Sequence, residues 1–302
     1  MEKIITPSQS PFPTFVMCPP TYADLKVMNN AWMTDAGVKV EQDREKFMGQ
    51  WYNLYDVLSA NGLVYLLPAQ PELQDQTYVN CFVHLPHIED RDVIILSNFT
   101  ALGRAGEEIV AAEFLKRMGY EVHQCPYKFE GEPEFKYSGK GNLYYGGYGI
   151  RSDKKALEWI RDNFGAEVIM IEEVDKYLYH LDCSLMVLNK DNVMVCDEVI
   201  DEPTLAEIAK VAEIHTVTAD EAYQGITNSV RAGDFVLNAS SLDYMKPTDK
   251  YYELEERKNI KLEAICDKVS LELVYVDLSE SMKGGALLSC HIAHLNHRDM
   301  LT

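Results

Sequence analysis

The 302-residue sequence is poor in basic residues. It contains 28 lysine and arginine residues against 48 aspartate and glutamate residues, which gives a formal net charge of −20. Such an excess of negative charge disfavours binding to nucleic acid and to anionic membrane surfaces, and no apolar run is long enough to span a bilayer. The charge favours cationic ligands, although acidity that only keeps a protein in solution would give the same composition.

The number and spacing of the cysteines also limit the kinds of structure that the chain can form. No two cysteines form a CxxC pair and their number is odd, which argues against a disulfide framework and against a structural zinc site. The N-terminal 17 residues also lack the apolar core of a signal peptide. We therefore predict a cytoplasmic protein with reduced thiols, no metal and no cofactor. The seven cysteines are Cys18, Cys81, Cys125, Cys183, Cys196, Cys266 and Cys290.

No serine-rich or glycine-rich linker divides the chain, and strand-like and helix-like segments alternate along it. This alternation predicts one α/β domain over residues 1–302. Hairpins between the helical crossovers fit a ring of small strand-and-helix units better than a doubly wound sheet. Helices are predicted at 47–61, 105–118, 153–164 with Asp153 as N-cap, 202–213 and 248–268. Strands are predicted at 16–18, 64–67, 93–96, 142–145, 168–171, 185–188, 193–196, 235–237 and 271–276.

One stretch near the C-terminus is suited to presenting a nucleophile. Gly284 and Gly285 are followed by small and apolar residues and then by Cys290. The glycine pair predicts a sharp turn, and the residues after it predict a short buried strand that holds one thiol in a fixed place. On such a strand His291 and His294 would not share a face, which disfavours a metal site with Cys290.

Polar clusters upstream supply the other groups that such a thiol needs. They occur at residues 75–81, 129–135, 146–153 and 179–184 and offer carboxylates, an arginine and a histidine. In their order along the chain these clusters resemble the guanidine-modifying superfamily, which includes arginine deiminase, arginine dihydrolase and dimethylarginine dimethylaminohydrolase. The matching motifs are FEG at 129–131, GYGIRSD at 147–153, HLD at 180–182 and the glycine pair before Cys290. The resemblance implies a five-bladed pentein propeller of ββαβ units.

The resemblance also implies roles for individual residues. Cys290 would be the nucleophile, His180 the general acid and base, and Glu130 the carboxylate that contacts both the imidazole and the substrate guanidinium. The implied substrate-binding residues are Asp75 and Asp182 at the guanidinium, Arg151 at the α-carboxylate, Asn30 and Asn228 at the amino-acid end, Cys81 at a guanidinium position that is usually Asp or Asn, and Glu134 as a longer substitute for aspartate.

These residue types suit the chemistry of a guanidino group. The substrate arrives as a delocalised cation that carboxylates can hold flat, and a cysteine thiol needs help to ionise at neutral pH. We predict a hydrolase that acts on arginine or an N-substituted arginine through a covalent thiouronium intermediate, with a small cationic guanidino compound as its partner. Two alternatives stay open, an amidinotransferase and a non-catalytic pentein binding module, and so does a homodimer as the assembly.

Overall fold

The described residues, 6–35, 41–88, 91–101 and 103–297, form five three-stranded sheets in this computed structural model. In chain order the elements are β1 (Thr14–Met17), α1 (Ala31–Asp35), α2 (Arg44–Asn61), β2 (Leu63–Leu66), β3 (Phe82–Ile88), β4 (Arg91–Leu96), α3 (Glu107–Arg117), β5 (Glu121–Gln124), β6 (Phe135–Tyr137), β7 (Leu143–Tyr148), α4 (Lys154–Phe164), β8 (Glu167–Glu172), β9 (Leu185–Asn189), β10 (Asn192–Cys196), α5 (Glu202–Ile208), β11 (Glu213–Val217), α6 (Ala219–Tyr223), β12 (Val230–Ala232), β13 (Phe235–Ala239), α7 (Tyr252–Lys268), β14 (Glu272–Val276), α8 (Ser279–Met282) and β15 (Ala293–His294).

Each sheet repeats one pattern of strand pairing. Its first strand runs antiparallel to the second, and a helical crossover brings the third strand parallel to the second. The sheets are β3-β4-β5, β6-β7-β8, β9-β10-β11, β12-β13-β14 and β15-β1-β2. The last of them joins both ends of the described chain, with Phe15 opposite His294. The series of ββαβ units therefore closes on itself, as the sequence predicts.

The helices bury the apolar residues that recur at helical spacing in the sequence, as α2 illustrates. In α2 the buried side chains include Phe47, Trp51, Leu54 and Leu58, which form one stripe along the helix. Burying a leucine of this kind stabilises the fold by about 2 kcal/mol. These side chains cover one layer of the core while the opposite face of α2 meets solvent.

Several predicted boundaries need correction. Helix α5 ends at Ile208 rather than near 213, and α7 begins at Tyr252 rather than near 248. Asp153 does occupy the N-cap position of α4, but its side chain accepts no capping hydrogen bond. Strands β3, β5, β6, β11, β12 and β15 were not predicted. In β3 the reason is Pro86, which is unfavourable in a strand and lies where the register shifts between Leu85 and Ile88.

Two expectations concern the chain as a whole, its division into domains and its relation to a membrane. The prediction that one domain spans residues 1–302 stays a prediction. Within the described ranges, no helix combines the length and the apolar character that crossing a membrane would require.

Candidate active site

The repeated unit places the candidate residues at equivalent positions. Most of them precede the first strand of a unit: Asp75 lies before β3, Glu130 before β6, His180 before β9, Asn228 before β12 and Cys290 before β15. Since the five units share one pairing pattern, segments that enter the first strand of each unit meet at one end of the fold. This explains how residues far apart in sequence reach one place.

Three of these segments, those before β3, β9 and β15, line one small cavity of about 20 Å³. A space of that size holds about one water molecule, so an amino acid can enter only if lining residues move. The lining residues are Asn29, Asn30, Asp75, Tyr78, Asn80, Arg104, Arg151, Tyr179, His180, Gly284, Ala286 and Cys290.

Glu130 lies outside the cavity lining but contacts two residues of it, His180 and Arg151. It is fully buried, and its carboxylate contacts the His180 Nε2 at 2.8 Å and accepts a hydrogen bond from the Arg151 Nη1 at 3.0 Å. Burial opposes ionisation of the carboxyl, but the hydrogen bond with His180 and the charges of His180 and Arg151 outweigh it and lower the pKa of Glu130 to about 2. Glu130 therefore stays ionised at neutral pH and can hold a cation.

Arg151 binds Glu130, the carboxylate that is predicted to bind the substrate guanidinium. Besides Glu130, its guanidinium donates a hydrogen bond to the Asn29 carbonyl oxygen and lies over the Tyr179 ring, 4.7 Å from the ring centroid. The expected role of Arg151 was to bind the α-carboxylate. In this structure its position is that of a guanidinium already held by Glu130.

The predicted strand around Cys290 is wrong. Cys290 lies in a 3-10 helix, Ser289–His291, between a glycine turn and β15. Gly285 adopts a φ of +73°, a conformation that favours glycine, and a Cβ there would come within 2.6 Å of the Asn30 Oδ1. The turn and the close approach of Asn30 together explain the glycine pair.

The Cys290 thiol is buried, and it resists ionisation. Burial first, and the negative charge of Asp182 second, raise the pKa of Cys290 to about 12. The Asn228 Nδ2 lies 3.8 Å from the sulfur and opposes this rise as a hydrogen-bond donor. A cation bound in the cavity would favour the thiolate.

Two predicted substrate ligands instead hold the segment that carries the thiol. The Asn228 Oδ1 accepts a hydrogen bond from the Ser289 backbone N–H at 2.9 Å, and Asp182 accepts one from the Ser289 hydroxyl. Asp182 also lies outside the cavity lining. Both side chains therefore fix Ser289, the neighbour of Cys290, and the Asn228 Nδ2 also contacts the Cys290 sulfur.

Asp75 and Asn30 do line the cavity, and both are anchored. Asp75 accepts a hydrogen bond from the Asn29 Nδ2 at 2.6 Å, and burial raises its pKa. The Asn30 amide donates to the Gly284 carbonyl oxygen at 2.9 Å and its Oδ1 accepts from the Met33 N–H at 3.0 Å. These contacts tie the chain before α1 to the glycine turn before Cys290.

Cys81 lies outside the cavity, which corrects its predicted substrate contact. Its side chain packs in an apolar cluster with Cys18 and Val79. The preceding residue, Asn80, lines the cavity instead, and its buried Oδ1 has no hydrogen-bond partner among the described residues. Neighbouring side chains on an extended segment point to opposite sides. The predicted contact, Cys81, is one residue away from Asn80, and its side chain therefore points away from the cavity.

Glu134 is likewise absent from the cavity lining. It is fully buried behind Glu130, where it accepts hydrogen bonds from the Ser152 hydroxyl at 3.0 Å and from the Leu181 N–H at 3.3 Å. Its carboxylate therefore contacts the segments that carry Arg151 and His180 rather than a substrate.

Arg104 is the main residue that the sequence reading missed. It lines the cavity, and its Nε and Nη2 donate to the Glu107 carboxylate at 3.0 and 2.7 Å. Its guanidinium also lies over the Phe99 ring at 4.5 Å. An arginine three residues before a glutamate at the start of a helix was an available signal, since such a pair can be buried only when each member satisfies the other.

A metal centre finds no support in the described ranges, where no group of three or more His, Cys, Asp or Glu side chains could hold an ion. His291 instead shares a hydrogen bond with the Ser281 hydroxyl at 2.8 Å, and the His294 Nδ1 contacts Glu132. Both histidines next to Cys290 are thus engaged with other residues.

Comparison with known proteins gives a consistent family. Residues 20–297 match the model of a family described as N,N dimethylarginine dimethylhydrolase, eukaryotic. The bifunctional arginine dihydrolase/ornithine cyclodeaminase AgrE of a Nostoc species is 24% identical over 91% of this chain and 37% of its own length. The N(G),N(G)-dimethylarginine dimethylaminohydrolase of Mycobacterium tuberculosis is 27% identical over 91% of this chain and 83% of its own. The chain thus spans little more than a third of the first relative.

Solved structures agree on the fold. The substrate-bound N-terminal domain of ArgZ, an arginine dihydrolase from cyanobacteria, superposes with a TM-score of 0.81 at 20% identity and covers 94% of this chain and 98% of that domain. A dimethylarginine dimethylaminohydrolase adduct gives a TM-score of 0.67 at 18% identity, covering 94% of this chain and 99% of that one. The predicted pentein fold of five ββαβ units is confirmed.

Proposed function

The chain belongs to the eukaryotic N,N-dimethylarginine dimethylhydrolase family, and on that basis we propose that it hydrolyses the guanidino group of arginine or an N-substituted arginine. The observation that carries this proposal is the position of Glu130, which contacts both His180 and the Arg151 guanidinium beside a cavity lined by Cys290. A carboxylate that already holds a guanidinium next to a thiol and an imidazole is suited to a guanidino substrate.

The relatives support hydrolysis as the reaction class. Both are named for it, one as an arginine dihydrolase and the other as a dimethylarginine dimethylaminohydrolase. A further structure of the ArgZ N-terminal domain is described as covalently bound to a reaction intermediate. A nucleophile that forms a covalent adduct is also what the buried, cavity-facing thiol of Cys290 provides.

The reaction would proceed in two displacements. The Cys290 thiolate adds to the guanidinium carbon, and one C–N π pair moves onto nitrogen to give a tetrahedral adduct. His180 then protonates the departing nitrogen, the C–N bond breaks, and an S-alkylthiouronium remains on Cys290. Water attacks this carbon while His180 accepts its proton, and cleavage of the S–C bond regenerates the thiolate.

The bound cation would also supply the activation that the thiol lacks. Without substrate the Cys290 pKa is about 12, whereas a guanidinium beside the sulfur would stabilise the thiolate. To reach Glu130 the substrate must displace Arg151, which would then be free to bind the substrate's α-carboxylate. Arg104, held by Glu107 at the cavity wall, offers a second cation for that carboxylate.

Asn80 is the proposed contact that helps to determine the product. Asn80 lines the cavity, and its buried Oδ1 has no hydrogen-bond partner among the described residues; an unsatisfied buried acceptor favours a ligand that can donate a hydrogen bond. A guanidinium N–H or the hydrolytic water would satisfy it. Seven free cysteines fit the reducing cytoplasm in which we propose that the protein acts.

The test is to incubate purified protein with arginine and with methylated arginines and to assay ammonia, methylamines, citrulline and ornithine. Release of an amine with citrulline or ornithine would support the proposal, and no turnover of any of these substrates would contradict it. A parallel reaction with glycine present tests the amidinotransferase alternative, because transfer would produce a new guanidino compound in place of the hydrolysis product.

A further inference from the structure

A second pair of buried carboxyl groups lies behind the proposed catalytic residues and has no role in the reaction described above. It consists of Glu134 and Glu173, which are both buried. Gly147 on β7 lies between them, and a Cβ at that position would be 2.7 Å from the Glu134 Oε2 and 2.7 Å from the Glu173 Oε1. The absence of a side chain at Gly147 thus allows the two carboxyl groups to come together.

The two carboxyl groups differ in their partners. Glu134 accepts hydrogen bonds from the Ser152 hydroxyl and the Leu181 N–H. Both oxygens of Glu173 are buried and receive no hydrogen bond from any donor group among the described residues, and no lysine or arginine there forms an ion pair with either glutamate. Two adjacent buried carboxylates without a cation repel each other strongly, so at least one of them needs a proton.

We propose that Glu173 keeps a proton at neutral pH and donates it to Glu134, and that this pair positions His180 and Glu130. Burial first, and the charge of Glu134 second, raise the pKa of Glu173 well above its usual range. The pKa of Glu134 is raised as well, mainly by burial. The single negative charge then resides on Glu134, where the donors are.

The positioning effect follows from the hydrogen bonds of Glu134. The Ser152 hydroxyl, which donates to Glu134, accepts a hydrogen bond from the Glu130 backbone N–H at 3.1 Å. The Leu181 N–H belongs to the peptide directly after His180. One carboxylate therefore fixes the backbone on both sides of the 2.8 Å contact between His180 and Glu130.

Loss of the shared proton would weaken this arrangement at high pH. The charged groups that face the pair are Glu130, His180 and Asp182, so a second negative charge would meet two further carboxylates and one imidazole. A raised pKa means that the stabilisation is complete below the usual glutamate range and is lost as the pH rises through the raised value. We expect activity to decline on the alkaline side for this reason.

The variants that test the proposal are Glu173→Gln and Glu173→Ala, with Glu172→Gln as the control. Glutamine keeps a donor toward Glu134 but cannot ionise, whereas alanine removes the donor. Glu172 is the exposed residue just before Glu173. This inference rests on the proposed function for its kinetic readout. We expect Glu173→Gln to stay within about threefold of the wild-type kcat at pH 7, and Glu173→Ala to lose about tenfold or more, as expected for a lost buried hydrogen bond.

The pH profile separates positioning from simple destabilisation. The wild type and Glu172→Gln should share an alkaline decline in kcat, and Glu173→Gln should lose the part that comes from ionisation of the pair. The proposed proton on Glu173 would be excluded if the kcat of Glu173→Gln fell to that of Glu173→Ala. It would also be excluded if the kcat of Glu173→Gln declined at alkaline pH as much as that of the wild type.

An infrared difference spectrum tests the proton without any substrate. Subtracting Glu173→Gln from the wild type at pH 7 should reveal the carbonyl stretch of one protonated carboxylic acid, and subtracting Glu172→Gln should not. The difference is needed because burial also raises the pKa of Asp75 and that of Glu107, the latter to about 7. Absence of the band would overturn the proposal even if arginine hydrolysis were observed, and its presence would support the proton even if no hydrolysis were found.

Discussion

Two buried thiols in this fold, Cys290 and Cys81, both resist ionisation but have very different surroundings. Burial is the largest cause of the raised pKa at both sites. Cys81 packs in an apolar cluster with Cys18 and Val79, whereas Cys290 borders a cavity that also presents Asp75, Asn80 and His180. Access for a cation, rather than the acidity of the free thiol, therefore distinguishes the proposed nucleophile.

This difference changes how reactivity should be sought in such a protein. Reactive cysteines are often identified by a pKa below the ordinary value, and no described cysteine of this chain has a lowered pKa. In the absence of substrate Cys290 would react slowly with neutral reagents. Its nucleophilicity should depend on the charge of the molecule that enters the cavity.

Replacing Cys290 with serine should have the most severe consequence. A serine hydroxyl is much less acidic than a thiol, and no bound cation can lower its pKa enough, so we expect kcat/KM for the active guanidino substrate to fall at least about 10³-fold. Intact-protein mass spectrometry of a quenched reaction should show a covalent adduct on the wild type and none on Cys290→Ser. Substantial activity in the variant would exclude Cys290 as the nucleophile.

Replacing Glu130 with glutamine should remove the preference of the cavity for cationic over neutral ligands. The amide is nearly isosteric, but it cannot hold a guanidinium as an anion, so we expect kcat/KM to fall by about 10²-fold to 10³-fold. The direct measurement is the rate of Cys290 alkylation by cationic 2-chloroacetamidine relative to neutral 2-chloroacetamide at pH 7.

The wild type should prefer the cationic reagent by at least about tenfold, which corresponds to one favourable charge contact, and Glu130→Gln should show much less preference. An unchanged preference would place the cation elsewhere in the cavity. Peptide mapping assigns the label to Cys290 rather than to Cys183, which is partly exposed.

The helices and most of the strands could be predicted because their patterns are periodic, whereas the pentein fold followed from the resemblance of the motifs to a known superfamily. The apolar stripe of α2 and the alternating strands and helices are local patterns, and each implies burial on one face. The failures were short elements such as β5, β11 and β12, whose three to five residues are held mainly by neighbouring strands. Tertiary pairing rather than local preference determines such strands.

The structure differs from the predicted site where the direction of a side chain matters. The sequence identified the segment with Asn80 and Cys81 but chose the residue that points into the core. It named Asp182 and Asn228 as ligands, whereas both hold Ser289. No linear motif encodes these orientations, since they depend on how the segments before β3, β9, β12 and β15 pack together.

Replacing Asp182 with asparagine should make the Cys290 thiol easier to ionise while leaving the Cys81 thiol, which Asp182 does not affect, unchanged. The negative charge of Asp182 raises the Cys290 pKa, so its removal should lower that pKa and increase the thiolate fraction. We expect alkylation of Cys290 by neutral 2-chloroacetamide at pH 8 to become about three to ten times faster.

Asparagine can still accept the hydrogen bond from Ser289, so the backbone beside Cys290 should stay in place. Asp197→Asn, at an exposed position after β10, is the matched control and should leave the rate unchanged. A slower reaction in Asp182→Asn would mean that the loss of order around Ser289 outweighs the electrostatic gain.

Replacing Cys81 with serine should have the mildest effect on catalysis, because the side chain lies in an apolar cluster and does not line the cavity. The hydroxyl would need a partner there, so we expect the free energy of unfolding to fall by about 1–3 kcal/mol. We also expect kcat/KM to remain within about twofold of the wild type, and the reactivity of Cys290 toward both alkylating reagents to be preserved. Chemical denaturation and steady-state kinetics on the same preparation measure the two quantities.

A change in the ratio of citrulline to ornithine without a loss of stability would return Cys81 to the substrate site, because only contact with the reacting group could alter the product while leaving the core intact.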